Sequence, residues 1–256
     1  MADFEGKVAI VTGATSGIGR ATTELLTSRG ARVAVVGRTR ADVDHLCDDM
    51  KEVGTPVHPI VADVTLADAP SRIVAATLAA FSRIDVLVNA AGVIATGTIE
   101  STTDESWDAL MNINARAPFR LMRETLPQLI AHRGAVVNVS SVNGLRSFAG
   151  VLAYNVSKSA LDQLTRCAAL EMAPKGVRIN AVNPGVTVTN LHRRGGMNEE
   201  TYAAFLERSK ETHPLGRPGK ADEIAELIAF LASDRAAWIT GATMSIDGGR
   251  HLTCAR

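Results

Sequence analysis

Short, continuously apolar, β-branched runs alternate with longer segments rich in Ala and Leu along most of the chain. The runs fall at residues 8–12, 33–37, 57–61, 84–89, 135–140, 177–182 and 243–246, and each has the length of a strand. Being apolar throughout rather than at every second position, they predict parallel strands covered on both faces. The segments between them, 17–28, 40–53, 67–81, 103–132, 153–173 and 222–233, are long enough for crossover helices. Right-handed βαβ crossovers then predict an α/β fold, a doubly wound parallel sheet of about seven strands flanked by helices.

No Pro/Gly/Ser linker and no internal repeat interrupts the alternation, so residues 1–256 are expected to form a single domain. Residues 186–220 break the pattern. They hold His192, Arg193, Arg194 and two glycines, a helical stretch at 199–210, then Pro214, Gly216, Pro218 and Gly219. An insertion of this length in a compact domain is expected to act as a lid over a substrate.

Composition narrows the function by exclusion. Of 256 residues 46% are hydrophobic, enough for a core, which excludes whole-chain disorder. Lys plus Arg and Asp plus Glu each number 27, and aromatics make up 4%. That balance lacks the basic field of a nucleic-acid or membrane-surface binder, and no apolar run reaches the ~20 residues of a membrane span. Cys47, Cys167 and Cys254 form no CxxC pair, and residues 1–6 leave no room for a secretion signal, so the expected location is the cytoplasm. The six histidines show no metal-ligand spacing, most read as surface or loop residues, and no catalytic metal is expected. A Gly-x-Ser-x-Gly nucleophile elbow is absent.

Candidate chemistry begins where the first strand meets the first helix, at Thr12-Gly13-Ala14-Thr15-Ser16-Gly17-Ile18-Gly19. In a Rossmann-type sheet this turn cradles a dinucleotide pyrophosphate, because glycines let the backbone approach and the helix start offers N–H donors. After the second strand an NAD-preferring protein carries an acidic residue. Here Gly37 stands there, followed by Arg38 with Arg40 nearby, which favours NADP(H) and leaves NAD(H) open.

Tyr154 and Lys158 stand one helical turn apart. A phenol titrates near ~10, and a neighbouring ammonium is expected to lower that value into a useful range for proton transfer. Ser141 ends the fifth strand, Asn89-Ala90-Ala91-Gly92 the fourth, and Pro184-Gly185 the sixth, so all face one ligand crevice.

Together these motifs, with Asp63-Val64, Asn114, Asn180, Thr189 and Asp247-Gly248-Gly249, resemble the short-chain dehydrogenase/reductase family, including its 3-oxoacyl-carrier-protein reductase-like members. The resemblance runs from Lys7 to about Gly249 and departs at Ala90, where the family often has a second Asn. It implies an oxidoreductase interconverting a secondary alcohol and a ketone. Tyr154 would be the general acid/base, Ser141 would orient the carbonyl oxygen, and Lys158 would hold the nicotinamide ribose. Asn114, rather than Asn112, would anchor a water linking Lys158 to solvent. Asp63 and Val64 would lie at the adenine, Asn89 and Gly92 beside the adenosine ribose, and Pro184, Gly185, Val186 and Thr189 at the carboxamide. The substrate is a small carbonyl or alcohol, of the 3-oxoacyl thioester, steroid or retinoid, or sugar or polyol class. Its candidate walls are Leu145, Phe148, Gly185, Leu191, His192 and Met197, with Tyr202 either a wall or a packing residue. Arg193, Arg194 and Lys175 read as solvated cations, or as attraction for an anionic substrate or an acyl carrier. A homotetramer through 103–132, 153–173 and 222–246 is also implied. From another class, a catalytically idle dinucleotide sensor would use the same fold, but such proteins usually lose the Tyr or the Lys.

Overall fold

A computed structural model describes residues 3–51, 54 and 57–253. Seven parallel strands form one sheet, β1 (Val8–Thr12), β2 (Arg32–Gly37), β3 (Val57–Val61), β4 (Val86–Asn89), β5 (Ala135–Val139), β6 (Arg178–Pro184) and β7 (Thr243–Ile246), in the order β3-β2-β1-β4-β5-β6-β7. The order reverses direction between β1 and β4, which opens a crevice at the C-terminal ends of those strands.

The apolar runs divide their side chains between two cores. Ala9, Val11, Val33 and Val35 face one side with α1 (Gly17–Ser28), α2 (Arg40–Lys51) and α10 (Ala221–Ala232). Val8, Ile10, Ala34 and Val36 face the other with α3 (Ala69–Phe81), α5 (Ala117–His132) and α7 (Leu152–Met172). Alternation at period two thus fills both faces of a sandwiched sheet. Buried threonines of α1 are satisfied locally, Thr22 and Thr23 donating to the carbonyls of Ile18 and Gly19 at 2.7 and 3.0 Å.

One predicted helix is corrected. Residues 103–132 divide into α4 (Asp104–Met111), a π-helical turn at Asn112–Arg116, and α5. Pro118 has no N–H to give to the Asn114 carbonyl, and the Ala117 N–H instead reaches Asn112, one residue further back. The predicted end of the second helix at Val53, like Cys254, lies outside the described residues. Between β5 and α7 lies the short helix α6 (Val142–Leu145), and past β6 come the short α8 (Leu191–Arg194) and the longer α9 (Glu199–Thr212). No described helix is long and apolar enough to cross a membrane.

Candidate active site

The glycine turn is built as its sequence requires. Gly13 and Gly17 hold φ of 65° and 53°, and a Cβ on Gly19 would run into the Gly13 carbonyl. Behind the turn α1 starts without a side-chain cap from Ser16 and without an acidic residue in its first turn, so its N–H groups and positive dipole end are matched to an anion. Thr12 Oγ1 accepts from the N–H groups of Ala90 and Ala91 at 3.1 and 3.2 Å, drawing the loop after β4 against the turn. Those bonds reach backbone, so an alanine at position 90 leaves them intact.

Arg38 is exposed past the end of β2, while Arg40 pairs with Asp44. Asp63 Oδ1 accepts from the Thr65 N–H and hydroxyl at 2.9 and 2.7 Å. Burial pushes this carboxyl up, but the two Thr65 bonds and the Arg38 guanidinium outweigh it and hold it below the usual range. Val64 is buried in the sheet–helix core. Asn89 also turns its side chain into the core, donating at 2.9 Å to Asn138, which in turn donates to Thr165.

Gly92 is the meeting point of the catalytic candidates. A Cβ there would lie 3.1 Å from Asn114 Oδ1 and 3.5 Å from Lys158 Nζ. The π turn delivers Asn114, whose Oδ1 accepts from the Val93 N–H at 3.0 Å and whose Nδ2 donates to the Val93 carbonyl and Ser157 Oγ at 2.9 and 3.0 Å. Asn112 Oδ1 has no such partner.

Past the end of β5, Ser141 caps α6 by accepting from the Asn143 N–H, donates to Asn143 Oδ1, and lies near enough to the Tyr154 phenol to pull its titration down. Ser140 points elsewhere, to the Lys158 carbonyl. Lys158 Nζ donates to the Val139 carbonyl at 2.9 Å and sits 5.7 Å from the Tyr154 ring centroid. Burial pushes Tyr154 up to about 12, against the pull of Ser141, and pushes Lys158 down to about 8, against nearby Asp162. In place of the lowering expected from Lys158, the phenol is pushed up, because loss of hydration outweighs the pull of Ser141.

Asp162 itself, one turn beyond Lys158 and buried, was not singled out by the sequence. It accepts from Asn183 Nδ2 at 2.8 Å, and Asn183 also donates to the Ser141 carbonyl. This pair ties the lysine's helix to the serine's strand, and the i, i+4, i+8 spacing of Tyr154, Lys158 and Asp162 is the signal that could have found it. Burial pushes the Asp162 carboxyl up.

Residues 186–220 arch over the crevice. Arg194 Nη1 donates to Ser16 Oγ at 3.0 Å, the Thr189 methyl packs by Gly17, and Gly195 packs against Ile94. His213 anchors the segment, accepting from the Val186 N–H at Nε2 (3.1 Å) and bonded at Nδ1 to the Ser209 carbonyl (2.8 Å). It is 2% exposed, so the surface or loop reading is corrected for it, and burial pushes its titration down. Close packing against His213 and Asp247 leaves no room for a side chain at Gly185. Tyr202 is a packing residue, buried with its hydroxyl donated to the Thr189 carbonyl at 2.9 Å. Leu145 is exposed, Leu191, His192 and Met197 are half-buried, and the His192 ring packs on Phe205 at 4.6 Å. Arg193 is taken up by Glu199 and the Tyr202 ring.

A family model described as enoyl-(acyl carrier protein) reductase matches residues 13–251. A 3-oxoacyl-(acyl-carrier-protein) reductase of Thermotoga maritima is 37% identical over 96% of this chain and 98% of its own. The mitochondrial dehydrogenase/reductase SDR family member 2 of Homo sapiens is 36% identical over 94% of this chain and 85% of its own. The chain belongs to the short-chain dehydrogenase/reductase family. A solved member of that family from Caenorhabditis elegans, of unknown function and with cofactor, superimposes with a TM-score of 0.92 at 34% identity, covering 98% of this chain and 97% of that one. A short-chain dehydrogenase/reductase is an oxidoreductase that works with a nicotinamide dinucleotide on a small molecule, and this chain is one.

Proposed function

We propose that this oxidoreductase interconverts a ketone and a secondary alcohol with NADP(H), Tyr154 serving as general acid/base. The observation that carries the reading is that Tyr154 and Ser141 are buried side by side, with Lys158 and Asn114 converging at Gly92. The residues fit the dinucleotide: α1 starts uncapped, Gly37 and Arg38 replace a carboxylate after β2, and Thr65 takes only one oxygen of Asp63. Ser16 supplies no positive charge of its own, but Arg194 reaches its hydroxyl and brings a second cation to the glycine turn.

When bound, the cofactor supplies hydride at the nicotinamide. The chain does the rest. Gly13, Thr15, Ser16, Gly17, Ile18 and Gly19 hold the pyrophosphate, and the backbone from Pro184 to Val186 with Thr189 borders the nicotinamide. Ser141 Oγ orients the substrate oxygen while Tyr154 Oη gives it a proton in reduction and removes one in oxidation. Lys158 and Asn114 return the proton to Tyr154. Residues 186–220 act as the lid, excluding water over the reacting atoms.

Phe119, Val156, Leu170 and Trp238 are exposed apolar side chains on α5, α7 and the segment before β7, which supports a homotetramer through those faces in the cytoplasm. Oxidation of NADPH and of NADH against a carbonyl panel tests the reading. A higher kcat/KM with NADPH is expected, falling toward the NADH value in Arg38→Ala; higher kcat/KM with NADH contradicts the cofactor assignment.

A further inference from the structure

Asp162 is a buried carboxyl group that the proton path described above does not use. It is 1% exposed, and Lys158, 4% exposed, stands one helical turn before it on the same face of α7. Taking a carboxylate out of water is costly unless hydrogen bonds or an opposite charge answer it. Here hydrogen bonds answer part of it: Asn183 Nδ2 donates to Oδ2 at 2.8 Å, and Ser140 lies near enough to pull the titration down. On balance burial still pushes the carboxyl up.

The group is also held in one direction. Asn183 uses the same amide nitrogen to reach the Ser141 carbonyl at 2.8 Å, and Gly144 of α6 packs so closely that a Cβ there would run into Asp162 Oδ2. The elements packed against this part of α7 face it with uncharged groups: Ser140 and Ser141 past β5, Asn183 on β6, Asn114 in the π turn, Gly144 on α6 and Leu110 on α4. On α7 itself stand Tyr154, one turn before Lys158, and the exposed Arg166, one turn after Asp162 and hydrogen-bonded to Gln163 and Thr243. Lys158 gives its own hydrogen bond to the Val139 carbonyl, a dipole and not a charge.

Resting on the oxidoreductase reading above, we infer that Asp162 is a positioning residue of the proton path: its carboxylate, fixed by Asn183 and Gly144, is the counter-charge that keeps Lys158 an ammonium while Tyr154 turns over. Burial pushes Lys158 down to about 8, and the Asp162 charge opposes that shift. Without the carboxylate the lysine gives up its proton at lower pH, and the return of protons to Tyr154 weakens there.

Asp162→Asn removes the charge and keeps both the volume and an oxygen for Asn183. In the full chain, isotopically labelled at lysine Cε, the Lys158 signal is identified by its loss in Lys158→Arg and titrated by NMR beside the pH profile of ketone reduction with NADPH. The substitution is expected to move the lysine titration down by about half a pH unit or more, and the alkaline limb of kcat/KM with it. The loss in kcat/KM is then about threefold or more at about pH 9 and slight at about pH 6, a split that a merely structural defect does not produce. An unmoved or raised lysine titration overturns the inference. A lysine titration that moves as expected, in a protein that reduces no ketone of the panel even without the substitution, upholds the charge pairing and removes the oxidoreductase reading. Should the variant fail to fold, the unsubstituted protein decides: at about pH 8 the Asp162 Cγ shift is expected to be that of a carboxylate, and the shift of a protonated acid overturns the inference.

Discussion

The floor of the crevice and its roof are built by opposite means. On the floor, Ser141, Tyr154, Lys158, Asn114, Asn183 and Asp162 are all buried, and hydrogen bonds between β5, β6, α7 and the π turn fix the residues around Tyr154. The roof, from Val186 to Lys220, is held by a few anchors: His213 on Val186, Tyr202 on Thr189, and Arg194 on Ser16. Backbone bonds join Val186 and Val188 to Gly219 and Leu215 to Gly248, and surface ion pairs such as Arg193–Glu199 and Arg217–Glu223 contribute little. On the proposed reading, the chemistry shared by every turnover sits in the hydrogen-bonded floor and substrate specificity in the more lightly tied roof.

The largest effect that breaks this contrast comes from the floor's own backbone. In Gly19→Ala the new Cβ has only the Gly13 carbonyl to displace, so the turn must open. Overpacking of this kind costs about 1–3 kcal/mol. A lowered melting temperature together with lost NADPH binding, read by nucleotide fluorescence, is expected; unchanged binding would show that the turn does not hold the cofactor.

Next comes pH. Lys158 loses its proton at about 8 and Tyr154 keeps its own to about 12. In the reducing direction the acid thus stays protonated while the ammonium is lost, so kcat/KM should fall along an alkaline limb with an apparent pKa near 8. A limb near ~10, the ordinary phenol value, would contradict the balance of burial and charge described for the pair.

The smallest effect belongs to the roof. The folded value of His213 lies below its ordinary 6.5, so the unfolded state binds more protons in that window and stability rises with pH through it. The His213 contribution is complete above about 6.5 and is lost as pH falls through the folded value. A protonated Nε2 can no longer accept from the Val186 N–H. The exchange protection factor at Val186, corrected for the intrinsic rate, should fall on acidification while that of β5 holds, and this pH dependence should vanish in His213→Leu. An equal fall in floor and roof would remove the distinction between them.

How far the sequence could be read follows the same division. The seven strands were legible because burial on both faces leaves an unbroken apolar run, as in Val33–Val36, and the glycine turn because its positive φ values admit little else. Tyr154, Lys158, Ser141 and Asn114 stood out by spacing and by their places at strand ends. The break in 103–132 was not legible, since Pro118 is compatible with an ordinary helix start and only the pull of Asn114 toward Val93 and Ser157 shows why a π turn forms. Asn89 looked like a crevice residue by position, but its partner Asn138 lies on the neighbouring strand and draws it inward. His213 was invisible because the Val186 N–H it holds lies 27 residues earlier in the chain.

The central claim is that Tyr154 moves the proton and the rest of the floor holds it in place. Replacing Tyr154 by Phe removes one hydroxyl and leaves the ring packed, so kcat for ketone reduction and the Kd for NADPH, measured on the same preparation, separate chemistry from binding. The structure predicts a fall in kcat of roughly 10²–10⁴-fold with Kd nearly unchanged. An undiminished kcat would contradict the assignment of Tyr154 as the general acid/base.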